Sequence, residues 1–209
     1  MKEQLGYVNS MFAVPIVYYP IANWSENKKK ILDALPAEDE SQLEPNGSGL
    51  YTDFFVNAKI KEFPSYFHTV VDVIKPYLKD FMDGNPVEFV EMWYQKYYNM
   101  VEHKTHCHGF TGWSSIIYAE FDPKVHEYTR LFSPFRQPWD CDVEVFQPEV
   151  KEGDMILFPS SLLHEAPLNK SNTRRTIISY NIRGYVDYVK HTLFSPVGTT
   201  TINNDKHTA

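Results

Sequence analysis

With 209 residues, 43% of them hydrophobic and 15% aromatic, the chain can bury a full core as one generous domain without disulfide staples from its two cysteines. A formal charge of −7 argues against nucleic acid as the main partner, because phosphate binding needs concentrated Lys and Arg. No apolar run approaches a membrane span and MKEQLGYVNSMF lacks a signal-peptide core, so a soluble, cytoplasmic protein with reduced Cys107 and Cys141 is expected.

The first element in the chain is the run FAVPIVYYP, which predicts an edge strand because Pro15 cannot donate to a ladder. Asn23 and Glu26 have capping-box spacing and predict the start of a helix that Pro36 closes. AEDESQLEPNGSGL (37–50) is polar and rich in Gly and Pro, the composition of a surface loop. Pro64 opens a second helix in which Phe67, Val70, Val71, Ile74, Leu78 and Phe81 recur at helical spacing. Gly84 is placed to end that helix, and Pro76 inside it predicts a kink or break. The period then changes to two. VEFVEMWYQKYY (87–98) and WSSIIYAEF (113–121) alternate as strands, followed by shorter candidates at 130–133, 143–147, 154–158 and 176–182. Two helices followed by strands fit a mainly β protein with flanking helices around a jelly-roll or cupin-like core, rather than βαβ units. The expected organisation is a single domain: a strand/helix elaboration over 1–86, the β core over 87–190 and a tail over 191–209.

The stretch EHKTHCHG (102–109) packs three histidines and a cysteine together. An H-x-H pair arises by chance with a probability of about 0.3 in a chain of this composition, so the spacing is weak evidence alone. His164 follows the strand DMILFP after the short turn SSLL, and Arg175 comes eleven residues later at the start of RTIISYNI. Imidazole suits iron, copper, nickel or zinc. Inward side chains of adjacent barrel strands converge, so two histidines from one segment and one from a distant strand can cap one face of a metal. An inward arginine offers a planar fork for a carboxylate. Strand parity favours Arg175 over Arg174, since Arg175, Ile177, Ser179 and Asn181 share a face. Trp93, Tyr94 and Trp113 stand near the expected mouth, where they either line substrate or pack the core.

The order HCHG…SSIIYAEF…EGDMILFPSSLLHEAPLNKSNTRRTIISYN resembles the Fe(II)- and 2-oxoglutarate-dependent oxygenases, and more narrowly a 2OG-Fe(II) oxygenase family common in phage and bacteria. The resemblance covers about residues 88–183 and is most specific from Gly153 to Asn181. It implies a double-stranded β-helix, with His106 and His164 as iron ligands and Arg175 as the clamp on the distal carboxylate of 2-oxoglutarate. Tyr118 matches a strand tyrosine that bonds the same carboxylate in prolyl-hydroxylase-like members. His108 falls where the family usually has Asp or Glu. It either ligates iron itself, or yields to Glu102, Glu120 or Asp122, or marks lost activity. His103 is expected to be an exposed neighbour and Cys107 to point away from the metal.

The resemblance further implies Fe(II), 2-oxoglutarate and O2 as cofactor and cosubstrates, and hydroxylation of a small-molecule or peptide substrate with release of succinate. The sequence specifies neither that substrate nor an oligomeric state, and substrate choice is expected to reside in loops such as 37–50 and 122–142. The rival readings are a cupin-like three-histidine metalloenzyme that does not use 2-oxoglutarate, and a non-catalytic jelly-roll binding module. Zinc hydrolysis is disfavoured, because the chain has no H-E-x-x-H helix or paired cysteine ligands.

Overall fold

The structure is a computed structural model that describes residues 14–110 and 112–184, so the expected tail over 191–209 lies outside the described residues. In chain order the elements are β1 (Val17–Pro20), α1 (Trp24–Ala34), β2 (Tyr51–Thr52), α2 (Phe54–Ile60), α3 (Phe67–Phe81) and β3 (Glu88–Tyr97). Then follow β4 (His103–His106), β5 (Trp113–Glu120), β6 (Arg130–Arg136), β7 (Val143–Phe146), β8 (Asp154–Pro159), β9 (His164–Ala166) and β10 (Arg175–Arg183). The strands form a six-stranded sheet in the order β1-β8-β5-β10-β3-β2 and a four-stranded sheet in the order β4-β9-β6-β7. Pairing is antiparallel throughout both sheets.

Alternation along the strands of the large sheet builds two cores. Met92 and Tyr94 of β3 and Ile178, Tyr180 and Ile182 of β10 pack under Val70, Ile74, Leu78 and Phe81 of α3. Tyr97, Tyr118, Ile156, Phe158 and Ile177 turn the other way, toward Leu131 and Leu162, and fill the space between the sheets. Each fully buried aliphatic side chain contributes on the order of 1.5–3 kcal/mol by leaving water. The outer face of the large sheet is therefore committed to packing against α3, and the inner face is shared between the second core and the polar side chains of the site.

Several local expectations differ from the structure. Asn23 precedes α1 but has a left-handed backbone (φ 51°), and its side chain makes no cap hydrogen bond. Its intended partner, Glu26, pairs instead with Lys30 one turn on, at 2.7 Å. Helix α1 stops at Ala34, with Leu35 extended before Pro36. Helix α3 runs uninterrupted through Pro76, which lies on its solvent face, where water can satisfy the carbonyl freed one turn earlier. It ends with the Gly84 N–H donating to Lys79 O (2.8 Å) and the Asp83 N–H to Asp80 O (3.0 Å). Asp83 (φ 50°) and Gly84 (φ 75°) are both left-handed, so Gly84 helps end the helix but not alone. Helix α2 and strands β2, β4 and β9 had no expectation. β4 reads HKTH and β9 only HEA, so pairing with neighbours rather than any periodicity makes them strands. The 37–50 segment contains a 3-10 turn (Glu40–Gln42) and ends in the fully buried Leu50, so it is more than a surface loop.

Among the described residues no helix is long and apolar enough to cross a membrane.

Candidate active site

β4 and β9 are antiparallel neighbours, and their register sets His106 directly opposite His164. His108 follows just beyond the end of β4, where its backbone N–H donates to Ser160 O (2.8 Å). Ring centroids lie 4.3 Å apart for His106–His164, 5.2 Å for His106–His108 and 5.0 Å for His108–His164. One nitrogen from each ring falls within 4.8 Å of the others, a spacing suited to a shared metal ion. His164 is buried, and the other two are half-buried.

Hydrogen bonds fix the tautomers. Nδ1 of His106 stands 2.7 Å from Lys104 O and Nδ1 of His164 stands 2.9 Å from Leu162 O. A carbonyl only accepts, so both Nδ1 atoms carry the proton and each Nε2 carries the lone pair. For His108, Nδ1 lies 2.9 Å from both Ser114 Oγ and Asn181 Oδ1. The Asn181 amide nitrogen donates to the Glu91 carboxylate, which can only accept, so the amide oxygen must face His108. Glu91 thus sets the His108 tautomer through Asn181. The row exists because Ser114, Asn181 and Glu91 are register partners across β5, β10 and β3.

Burial lowers the pKa of all three imidazoles, and for His164 well below the ordinary histidine value; their neighbours add to this at His106 and His164. The rings are therefore neutral and able to ligate near pH 7. His103, expected to be exposed, is half-buried with its ring 4.0 Å from that of His106. Its Nδ1 meets Gln95 Nε2 at 2.9 Å, and burial followed by the adjacent imidazoles pushes its pKa down to about 3. Cys107 is exposed, and its thiol is outside the three-histidine group.

Of the carboxylates weighed as a third ligand, Glu120 is held bidentately by Arg174 (2.7 and 2.9 Å) and also receives Thr176 Oγ1. Among the described residues, neither Glu102 nor Asp122 joins the histidine group.

Deeper between the sheets, Arg175 is 2% exposed. Its guanidinium stands over the rings of Tyr97 (5.1 Å), Phe121 (5.5 Å) and Tyr118 (5.9 Å). Nη2 donates to Thr129 Oγ1 (2.9 Å), which also accepts from the Tyr118 hydroxyl (2.9 Å). The buried Arg175 Nε and Tyr97 hydroxyl have no hydrogen-bond partner. Burying a guanidinium without a carboxylate costs several kcal/mol. Orphaned donors beside such a cation fit an absent anion. Arg174 faces away from this site and pairs with Glu38 (3.7 Å) and Glu120. Tyr97, Thr129, Asn181 and Glu91 had not been singled out as site residues. The alternation of 87–98 was the available signal: it turns Glu91, Trp93, Gln95 and Tyr97 to one face, opposite Asn181, Ser179, Ile177 and Arg175.

Of the three aromatic candidates at the mouth, Trp93 lies 5.2 Å from the His108 ring and lines a cavity there. Tyr94 and Trp113 instead belong to the core beneath α3.

Two sheets with this strand order and an inner site define a double-stranded β-helix, and comparison with solved structures agrees on that fold. The epimerase SnoN from nogalamycin biosynthesis, described as non-heme and alpha-ketoglutarate dependent, matches with a TM-score of 0.56 at 12% identity, over 81% of this chain and 77% of its own. HygX from Streptomyces hygroscopicus, solved with nickel and 2-oxoglutarate, matches with a TM-score of 0.53 at 10% identity, over 82% and 83%. The viral collagen prolyl hydroxylase of Paramecium Bursaria Chlorella virus-1, solved with 2OG, gives 0.52 at 15%, over 81% and 96%. In sequence, no curated protein matches the chain. Residues 91–181 match the family described as "Putative 2OG-Fe(II) oxygenase". The stretch matched, just under half of the chain, spans the β core from β3 to β10, and the family is one of non-haem iron enzymes that use 2-oxoglutarate.

Proposed function

We propose that this protein is an Fe(II)- and 2-oxoglutarate-dependent dioxygenase that hydroxylates an unidentified small-molecule or peptide substrate, with His106, His108 and His164 as a three-histidine iron site. The observation that carries the reading is a buried, carboxylate-free Arg175 with an orphaned Nε, sharing one barrel interior with three imidazoles whose Nδ1 atoms are all pinned. When bound, Fe(II) and 2-oxoglutarate supply the oxidative chemistry: dioxygen is consumed, 2-oxoglutarate becomes succinate and CO2, and a substrate C–H becomes C–OH.

The chain's residues bind and orient. Arg175 offers its guanidinium to the distal carboxylate of 2-oxoglutarate, and Tyr97 adds a hydroxyl that burial keeps protonated. Tyr118 acts through Thr129, which accepts from both Tyr118 and Arg175 and retains its own proton for a carboxylate oxygen. Phe121, Tyr97 and Tyr118 surround the clamp with apolar surface, excluding water and strengthening the charge pairing. With three neutral ligands the site offsets none of the ion's charge, and Glu91 stands two hydrogen bonds behind His108, on the side away from Nε2.

Anaerobic addition of 2-oxoglutarate to the Fe(II)-loaded protein should give the weak visible charge-transfer band of the chelate, and admitting air should release succinate. Arg175→Ala should weaken 2-oxoglutarate binding by about 10²-fold, as loss of a buried charged pair does. Absence of the band together with indifference to Arg175→Ala would reject the cosubstrate. That result would favour the three-histidine metalloenzyme without 2-oxoglutarate, a class with no need for this arginine.

A further inference from the structure

Beside His106 and His108 opens a cavity of about 370 Å³, the small end of the range for ligand pockets. Phe54, Phe55 and Trp93 supply aromatic surface, and Phe54 packs edge-on to both Phe55 (5.3 Å) and Trp93 (5.2 Å). Two carboxylates, Glu44 and Glu91, line the same cavity, but no lysine or arginine does. Neither glutamate pairs with a lysine or arginine among the described residues. Glu44, with its side chain 10% exposed, has Oε2 accepting from Ser48 Oγ (2.6 Å) and Oε1 3.8 Å from His103 Nε2. Glu91 accepts from the Asn181 amide through Oε1.

Half-buried carboxylates in an aromatic cavity are costly to leave without a counter-charge, and they repel an anionic ligand. An aliphatic ammonium suits both features, since aromatic faces attract cations and carboxylates form their strongest hydrogen bonds or ion pairs with them. Resting on the reading of the three imidazoles as the iron site, we propose that the substrate carries an aliphatic ammonium group, seated between Glu44 and Glu91 against Phe54, Phe55 and Trp93. This seat would hold a neighbouring C–H bond of the same substrate beside the metal. Two sources share this chemistry: a free quaternary-ammonium or amine metabolite, and a lysyl side chain.

Calorimetry on the full-length, Fe(II)-loaded protein with 2-oxoglutarate under anaerobic conditions separates them. Choline is compared with its neutral carbon isostere 3,3-dimethylbutan-1-ol, and Nα-acetyl-lysine methylamide with Nα-acetyl-norleucine methylamide. At least one cation should bind about 10-fold or more tightly than its neutral partner, from cation–π and charge-assisted contacts together. Preference in the first pair identifies a free ammonium compound, and preference in the second a lysyl group. The isosteric double variant Glu44→Gln/Glu91→Gln should reduce the preference to within about 2-fold, and each single variant should give an intermediate value. The single variants serve if the double variant fails to fold. Equal binding within both pairs, no binding, or a preference unchanged in the Glu→Gln variants would overturn the proposal. The same ligand pairs titrated into the metal-free protein and into metal-free His106→Ala/His164→Ala should both retain the cation preference, so failure of the iron reading and failure of the ammonium reading give different results.

Discussion

At the residue scale, His108 departs from the pattern that the resemblance implies. Where the resemblance leads one to expect a carboxylate, the chain places an imidazole and fixes it from behind with Ser114 and Asn181. The Asn181 amide is itself oriented by Glu91, so the negative charge that the three imidazoles lack stands behind Asn181. On the proposed three-histidine site, Asn181→Ala should therefore free the His108 ring without touching Nε2. Divalent-metal affinity should fall about 10–100-fold, the usual cost of losing such a supporting bond, as read by competition with a chromophoric chelator. An unchanged affinity would mean that His108 is not a ligand.

Among the elements, the turn entering β8 shows how closely the helical layer is fitted to the large sheet. Gly153 has φ 90°, and its N–H donates to Tyr118 O (2.9 Å) while its carbonyl accepts from Ile21 N (2.9 Å). A Cβ here would stand 2.5 Å from Cγ of Trp24, the first residue of α1. Gly153→Ala combines left-handed strain with a clash against an indole. It should destabilise the protein by about 2–4 kcal/mol in chemical denaturation. The need for glycine is tertiary, because the obstructing ring comes from a helix more than a hundred residues earlier. The unbroken course of α3 through Pro76 has a similar cause. The sequence marks a breaker, but exposure of Pro76 and burial of Val70, Ile74, Leu78 and Phe81 against the sheet keep the helix continuous.

On the whole-molecule scale, the fold gathers four histidines whose burial keeps them neutral. His103, His106, His108 and His164 all have folded-state pKa values below the ordinary histidine value of about 6.5. Between the folded and unfolded values the unfolded chain binds more protons, so stability is fully present above pH about 6.5 and falls as pH falls below it. Thermal midpoints of the metal-free protein should drop between pH 7 and pH 5. The drop should be smaller in His103→Gln, which removes the group whose value is pushed to about 3. A metal that binds only the folded state should raise the midpoint at pH 7 in proportion to the logarithm of its concentration.

What the sequence determined by itself was the alternation of the long strands and the identity of their chemistry-bearing residues. Period two in 87–98 and 176–182 requires one face for the core under the helices and one for the interior, and that parity is enough to separate Arg175 from Arg174. Only the tertiary structure decided what those faces meet. β4 and β9 lack a hydrophobic pattern, so the opposition of His106 and His164 follows from strand pairing alone. The orphaned donors around Arg175, the Glu91–Asn181–His108 row and the aromatic, carboxylate-lined cavity each join segments far apart in the chain. Local sequence encodes which way a side chain points along its own strand, but a site also depends on register between strands, which long-range packing sets.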